Sequence, residues 1–336
     1  MSTQITQPQS GIQLINPPDQ PISDQSLSQY GRQLKFDEKY LKKANDVCKK
    51  VCDVLKSSEF KPERFSVSES HVCQEGVEDT GVDVVAYLKE GLDMNKAKTK
   101  YNEDLNKMGA QRSSMDDKGV MHFELDNVKV NLGFSVSRGP TVGEHRKAVF
   151  QQITKLDKEG KLQKEQVEKV SVDLHDSMNE FMNQNRDEFD LAAQRLARAW
   201  RRTAVAPWSD WFSPLDSMLV MQNALAKERQ RGTGSLEMVN VMRQFLNDLS
   251  NIESMQVTFP EASLYDWAMV PQWIQQERPL LLDPVNPFRN TFSGLNRTMF
   301  KEIKQQASEA LKMIEQGEAS MRQLFNVPPE AVQRGA

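Results

Sequence analysis

"DTGVDVVAYL", residues 79–88, reads as a turn that runs into a buried strand. Asp83 is the one charged residue inside that strand. Side chains at i and i+2 of a strand share a face, so carboxylates at alternate positions can hold two divalent ions between them. Here the position two before Asp83 is Gly81. Asp79 lies four residues from Asp83 across a turn and does not replace it. The strand carries one half of a metal-holding pair.

Working outward, a polar turn region separates this strand from another over residues 64–68. Upstream of both, residues 33–57 have helical periodicity. Tyr40, Leu41, Ala44, Val47, Cys48, Val51, Val54 and Leu55 share one side of that helix. Lys35, Lys39, Lys42, Lys43, Lys49, Lys50 and Lys56 share the other, diluted by Glu38, Asp46 and Asp53. The lysine side is open to two readings, a solvated face or an anion-facing ridge. Downstream, "KMGAQRSSMDDKG" reads as a loop leading to "VMHFEL" and "VKVNLGFSV", two runs joined by the hairpin turn "LDNV". From about residue 142 the pattern becomes helical, over 144–157, 162–184, 187–203, 213–229, 235–250 and 300–324. "PWSDWFSP" and "RPLLLDPVNPFRNT" are its proline-bearing breaks.

The 336 residues suffice for a large core. No apolar run is long enough to span a membrane, and the Gln-, Pro- and Ser-rich start lacks the character of a signal peptide. That start reads as a disordered arm over 1–25, and residues 326–336 as a flexible tail. Cys48, Cys52 and Cys73 read as reduced core residues of an intracellular protein, cytoplasmic and/or nuclear. His71, His122, His145 and His175 form no ligand-spaced motif with them, so no metal site is expected. A net charge of −4 leaves any nucleic-acid binding to a local patch. Trp208, Trp211, Trp267 and Trp273 read as packing anchors beside prolines, and "LLLDPVNP" as a buried strand with a locking turn.

Four stretches of the second half carry a resemblance. "EFMNQNRDEFDLAAQRLARAW" joins a phenylalanine-bearing helix end to an Arg-Leu-x-Arg-x-Trp helix. "SPLDSMLVMQNALAKERQRG" is a proline-started helix that ends in a basic, glycine-bearing corner. "SLEMVNVMRQFLNDLSNIESMQVTF" is the next helix. "VPQWIQQERPLLLDPVNPFRNT" places Arg-Pro before an apolar run and Asp-Pro-x-x-Pro-x-x-Asn. In order and spacing, across about residues 170–300, they resemble the 2′-5′-oligoadenylate synthetase family. The first half matches through "GVDVVAYL", a strand that the related zinc-finger-associated dimerisation domains of double-stranded-RNA factors share.

The resemblance implies an α+β, nucleotidyltransferase-like fold: a mixed sheet with an N-terminal helix over 26–141, packed against a helical half over 142–325. Family enzymes polymerise ATP when double-stranded RNA binds. They need a glycine-serine phosphate loop, three strand aspartates, and a Gln-Tyr pair that contacts nucleotide. This chain has Ser66 and Ser68 without paired glycines, Gly81 and Asp83 for the first two aspartates, Asn131 for the third, and Leu215 and Asp216 for the Gln-Tyr pair. One carboxylate in place of three leaves two Mg²⁺ ions poorly neutralised. Gly81, Asp83 and Asn131 therefore read as vestigial.

Arg195, Arg198 and Arg202 share one side of their helix and are candidates to bind RNA. Arg195 and Arg198 match family positions that contact it, and the lysine helix with Lys35, Lys39, Lys42 and Lys49 resembles the family's N-terminal RNA-contacting helix. The competing reading pairs those arginines with Asp187, Glu188 and Asp190. The expectation is a catalytically inactive nucleotidyltransferase-fold protein that binds double-stranded or structured RNA, a protein partner, or both, with no cofactor and no membrane. The alternatives are an active, RNA-stimulated transferase using ATP and Mg²⁺ through Asp79, Asp83 and Asp126, and a pure protein scaffold.

Overall fold

The computed structural model describes residues 17–34, 38–67, 81–116, 119–184, 186–205, 212–232, 235–260, 263–317 and 319–325. Lys35, Ser68, His71, Cys73, Asp79, Trp208, Trp211, residues 1–16 and residues 326–336 lie outside them. The chain divides into two compact units, Lys35–Ser137 and Asn16–Leu34 with Arg138–Ala336. The division falls at 137/138. The first helix, α1 (Asp24–Gln33), belongs to the second unit. The sequence placed that stretch partly in the arm and partly in the first half. α1 begins at a capping box in which the Ser23 and Ser26 hydroxyls each accept the other's backbone N–H.

The first unit starts with α2 (Glu38–Ser57), which buries Ala44, Val47, Cys48, Val51 and Leu55 as its spacing predicts and Cys52 beside them, with Tyr40, Leu41 and Val54 half-buried. Five strands follow: β1 (Arg64–Val67), β2 (Val82–Leu88), β3 (Gln111–Met115), β4 (Met121–Leu125) and β5 (Val128–Val136). They form one sheet in the order β1-β2-β5-β4-β3. β2 and β5 run parallel and the other pairs antiparallel, so the sheet is mixed. The β4–β5 turn is the expected one: Asp126 and Asn127 hold φ of 52° and 57°, the left-handed pair that a two-residue hairpin turn requires.

α3 (Met94–Lys107) was not predicted. It buries only Ala97, Tyr101 and Leu105, each four residues from the last, a stripe too narrow to stand out among polar residues. β3 was read as loop, and every residue in it is exposed. Its place comes from pairing with β4 rather than from any apolar alternation.

One face of the sheet, with Val82, Val84, Ala86, Val130, Leu132 and Phe123, packs on α2 and α3 as a continuous core. Each such side chain contributes about 1.5–3 kcal/mol on burial. Cys48 and Cys52 are free thiols in that core. Burial pushes the Cys48 thiol up to about 12, and raises that of Cys52. Neither is then a nucleophile near neutral pH.

The second unit is helical. It comprises α1, α4 (Val142–Lys158), α5 (Lys164–Asp173), α6 (His175–Asn183), α7 (Glu188–Ala204), α8 (Pro214–Arg231), α9 (Met238–Ser250), α10 (Gln272–Gln275), α11 (Arg297–Gln316) and α12 (Met321–Phe325), with a short parallel pair, β6 (Gln256–Val257) and β7 (Leu280–Leu281). The helix expected over 162–184 is broken at Leu174, and that over 300–324 at Gly317, whose φ of 68° ends α11. α7 lies at the centre, with Trp200 fully buried and edge-on to Phe245 at 5.7 Å. α1 crosses it closely: a Cβ added at Gly31 would stand 2.7 Å from the Ala192 carbonyl oxygen.

The Asp-Pro segment after β7 is held by its own side chains. The Asp283 carboxylate accepts the N–H groups of Val285 and Asn286, and Asn290 bonds Leu281, Phe292, Pro279 and Glu277. It is the buried lock that the sequence suggests. Trp267 and Trp273 are not packing anchors of this kind. They are 39% and 45% exposed.

Candidate functional site

Pairing register decides what the polar face of the sheet can do. Asp83 on β2 stands opposite Asn131 on β5, and Asn131 stands opposite His122 on β4. All three are partly exposed, on the face away from the α2–α3 core. The Asn131 amide N–H donates to Asp83 Oδ1 at 2.7 Å. His122 Nδ1 lies 2.8 Å from Asn131 Oδ1, and His122 Nε2 lies 3.1 Å from Asp116 Oδ2. Asp116 Oδ1 accepts the Val120 N–H. The four side chains form a hydrogen-bonded row across three strands to the β3–β4 loop.

Each member constrains the next. Turned over, the Asn131 amide would set its carbonyl against the Asp83 carboxylate, so its orientation is fixed. Both nitrogens of His122 then face oxygen acceptors, and only the imidazolium donates from both. Partial burial works against the charged ring, but the bonds to Asn131 and Asp116 outweigh it, and the pKa is raised above the usual histidine value. A raised folded pKa means that this row's contribution to stability is full below about pH 6.5, the unfolded value, and fades as pH rises through the folded one. Asp116→Asn should lower the midpoint of the His122 ring resonances in an NMR pH titration. An unmoved midpoint would show that Asp116 does not hold the proton there.

Gly81 cannot be read as a lost aspartate awaiting restoration. Its φ is 77°, and a Cβ would stand 2.8 Å from the Lys129 carbonyl oxygen. Ser66 is buried on β1. Asp126, a possible displaced carboxylate, sits in the β4–β5 turn and pairs with Lys50 of α2 at 2.6 Å. It is five residues along the chain from Asn131, a separation of about 10 Å or more on strand geometry. Asp216 is the N3 residue of the α8 capping box, where its buried carboxylate accepts from the Ser213 N–H and hydroxyl.

The arginines and lysines separate. Arg195 is fully buried, and donates from Nη1 to Glu188 at 3.0 Å and to the Gly31 carbonyl at 3.4 Å. Arg198 is 3% exposed and Arg202 half-buried. The expected surface row of three arginines is not formed: Arg195 and Arg198 are buried, and Arg195 reaches the Gly31 carbonyl of α1. The Glu188 pairing of the competing reading is present. On α2, by contrast, Lys39, Lys42, Lys43 and Lys49 sit opposite the buried stripe; Lys42, Lys43 and Lys49 are exposed, and Lys39 is exposed beside them.

No protein-family model matches the chain, and no curated protein sequence matches it. Solved structures do. The CdnC chain of an E. coli CdnC:HORMA-deltaN complex aligns with a TM-score of 0.60 at 13% identity, over 90% of this chain and 94% of that one. The Cid1 poly(U) polymerase bound to Mg and 3′-dATP aligns at 0.58 and 10%, over 87% and 94%. An mtPAP mutant with ATPγS aligns at 0.54 and 14%, over 93% and 75%. All three align along most of this chain, sheet and helical part alike. The chain has a nucleotidyltransferase fold.

The Cid1 neighbour is bound to Mg and a nucleotide, and the described residues can be tested for groups that would hold such an ion. Mg²⁺ requires near-octahedral oxygen ligands and gives up its waters reluctantly. Among the described residues, no group of three His, Cys, Asp or Glu side chains is arranged to hold a metal ion. Asp83 spends one oxygen on the Asn131 amide, and the next titratable group along the row is a histidine whose pKa is raised. Among the described residues, Asp83 and its neighbours along the row do not assemble a Mg²⁺ pair. His122 and Asp116 were missed as site residues, although the two-residue turn at Asp126-Asn127 already sets His122 opposite Asn131.

Proposed function

We propose that this nucleotidyltransferase-fold chain transfers no nucleotide and acts by binding, with structured RNA at the α2 lysines and a protein partner elsewhere. The observation that carries the reading is Asn131. It donates at 2.7 Å to Asp83, the one carboxylate of the parallel pair β2 and β5, and accepts from a ring that favours its charged form. The row completes itself without a cation. Where metal-dependent transfer needs negative charge on a bare face, this face offers internally paired groups.

The RNA part rests on Lys39, Lys42 and Lys49, exposed along one face of a twenty-residue helix. Phosphates of an A-form duplex are read by shape and charge, and a helix about 30 Å long can track several of them. Arg195 and Arg198 leave this reading, because neither side chain reaches the surface.

An active transferase is the second reading, favoured by the nucleotide- and Mg-bound state of the Cid1 neighbour and by Asp83 itself. One experiment separates the two. Duplex RNA is titrated at two salt concentrations with ATP and Mg²⁺ present, and products are resolved. Salt-sensitive binding without product is expected. The triple change K39E/K42E/K49E should make the slope of log affinity against log salt shallower by about 2–3. A phosphodiester product that disappears in Asp83→Ala would establish the active enzyme. An unchanged salt slope would remove RNA from the α2 face.

A further inference from the structure

α4 buries His145, Val149, Phe150 and Ile153 on one side and faces a groove on another. The groove, about 770 Å³, runs along the helix between it and the segment that bears Leu264 and Met269. Its floor is apolar, from Phe150, Leu264 and Met269, with Phe150 held edge-on by Tyr265 at 6.3 Å. Its rim is cationic: Arg146, Lys147, Lys155 and Lys158 line it, against Glu159 as the one acidic lining residue. The chain as a whole carries a net charge of −4, so this is a local inversion of sign.

Part of that rim is uncommitted. Arg146 is engaged with Glu180 at 2.6 Å, and Lys155 lies at the limit of reach of Glu159 at 3.9 Å. Lys147 and Lys158 make no ion pair with any described residue.

We propose that this groove docks an acidic amphipathic helix of a partner protein. The inference goes beyond the binding role above, because it names the surface and the chemistry of what fits it. An apolar floor with charged edges is the geometry in which helices lie in grooves, apolar side chains down and charged ones outward. The sign of the rim selects carboxylates. Phosphates would satisfy the rim but leave the apolar floor unused. The spacing fixes the partner's pattern. Lys147 and Lys155 are eight residues apart and Lys158 three more, about 12 Å and 16 Å along α4 at 1.5 Å per residue. Acidic residues near i, i+8 and i+11 of a partner helix meet those lysines, with apolar residues between them.

The test pans the full chain against a displayed library of helical peptides that carry that acidic pattern with varied apolar positions. An enriched peptide, labelled and measured by fluorescence anisotropy near physiological salt, should bind in the micromolar range. K147E/K155E/K158E should weaken it about tenfold or more, as loss of three facing charges predicts. Met269→Ser should weaken it several-fold, and exchange of the peptide's acidic residues for lysine should abolish it. K39E/K42E/K49E should leave it unchanged, which keeps this result apart from any RNA result at α2. No enrichment over the starting library overturns the proposal. So does affinity that survives the α4 charge reversal, or a short RNA duplex that depends on the α4 lysines while no peptide binds.

Discussion

Replacing Arg289 by methionine should destabilise the helical unit by about 3–5 kcal/mol, the range for leaving a buried charge without its partner. Asp283 is fully buried. It accepts the N–H groups of Val285 and Asn286 at 2.9 and 3.1 Å and the Arg289 guanidinium at 3.1 Å. Methionine keeps much of the packing volume and removes the cation bonded to that carboxylate. Burial already raises the Asp283 pKa against the pull of Arg289, and loss of that cation should raise it further. For an acid whose folded pKa is raised, stability is retained at low pH and lost as pH climbs through the folded value. The deficit of the variant in urea unfolding should therefore grow from pH 4 towards neutrality. Arg289→Met with Asp283→Asn should recover part of the loss, because the uncompensated charge is gone. A loss under about 1 kcal/mol would mean that the two N–H donors alone hold the carboxylate.

Gly81→Asp should also be costly, by about 2–4 kcal/mol, from a left-handed backbone forced on a side chain and a Cβ driven into a carbonyl. Both causes are local: φ is 77°, and the Lys129 oxygen lies 2.8 Å from where the Cβ would be. The double change G81D/N131D, which sets carboxylates at positions 81 and 131 beside Asp83, should yield no nucleotide product with ATP and Mg²⁺. The carboxylate introduced at position 131 would face Asp83 across one hydrogen-bond distance, with His122 beside it. Position 81 would have to distort before its own carboxylate reached the same face. Product from the double variant at near-native stability would show that the glycine is no barrier.

What the sequence revealed depended on how each element is held. β2 and β5 were legible because both are apolar runs, and the hairpin turn fixed β4 beside β5. α2 was legible because its buried stripe is six residues long. α3 and β3 were not. One buries three residues, and the other none, so neither leaves a periodic trace, and both owe their form to neighbours. α1 hid behind a Ser- and Gln-rich composition, though Leu27 and Tyr30 are almost fully buried. The arginine face failed for a related reason. A helical wheel assigns charge to solvent, and it could not foresee that α1 supplies the Gly31 carbonyl to Arg195. On the sheet, the arrangement of single residues came from pairing: the bonds of Asn131 to both neighbours needed three strands in register.

The placement of α1 has a bearing on how the protein is made. Among the described residues, the α/β unit is an insertion within the helical one, entered after α1 and left before α4. Near the other end of the chain, Ser320 bridges to Pro21, the Met321 N–H bonds the Gln20 carbonyl, and Phe325 lies edge-on to Tyr30 at 5.0 Å. A nascent chain on the ribosome can complete its sheet as soon as β5 emerges. The helix made before the sheet must wait, unpartnered, until α7 is translated, and the clasp over it closes only with almost the last described residue. Truncation of either end would thus strike the same late-closing unit, while the sheet between them would already have folded.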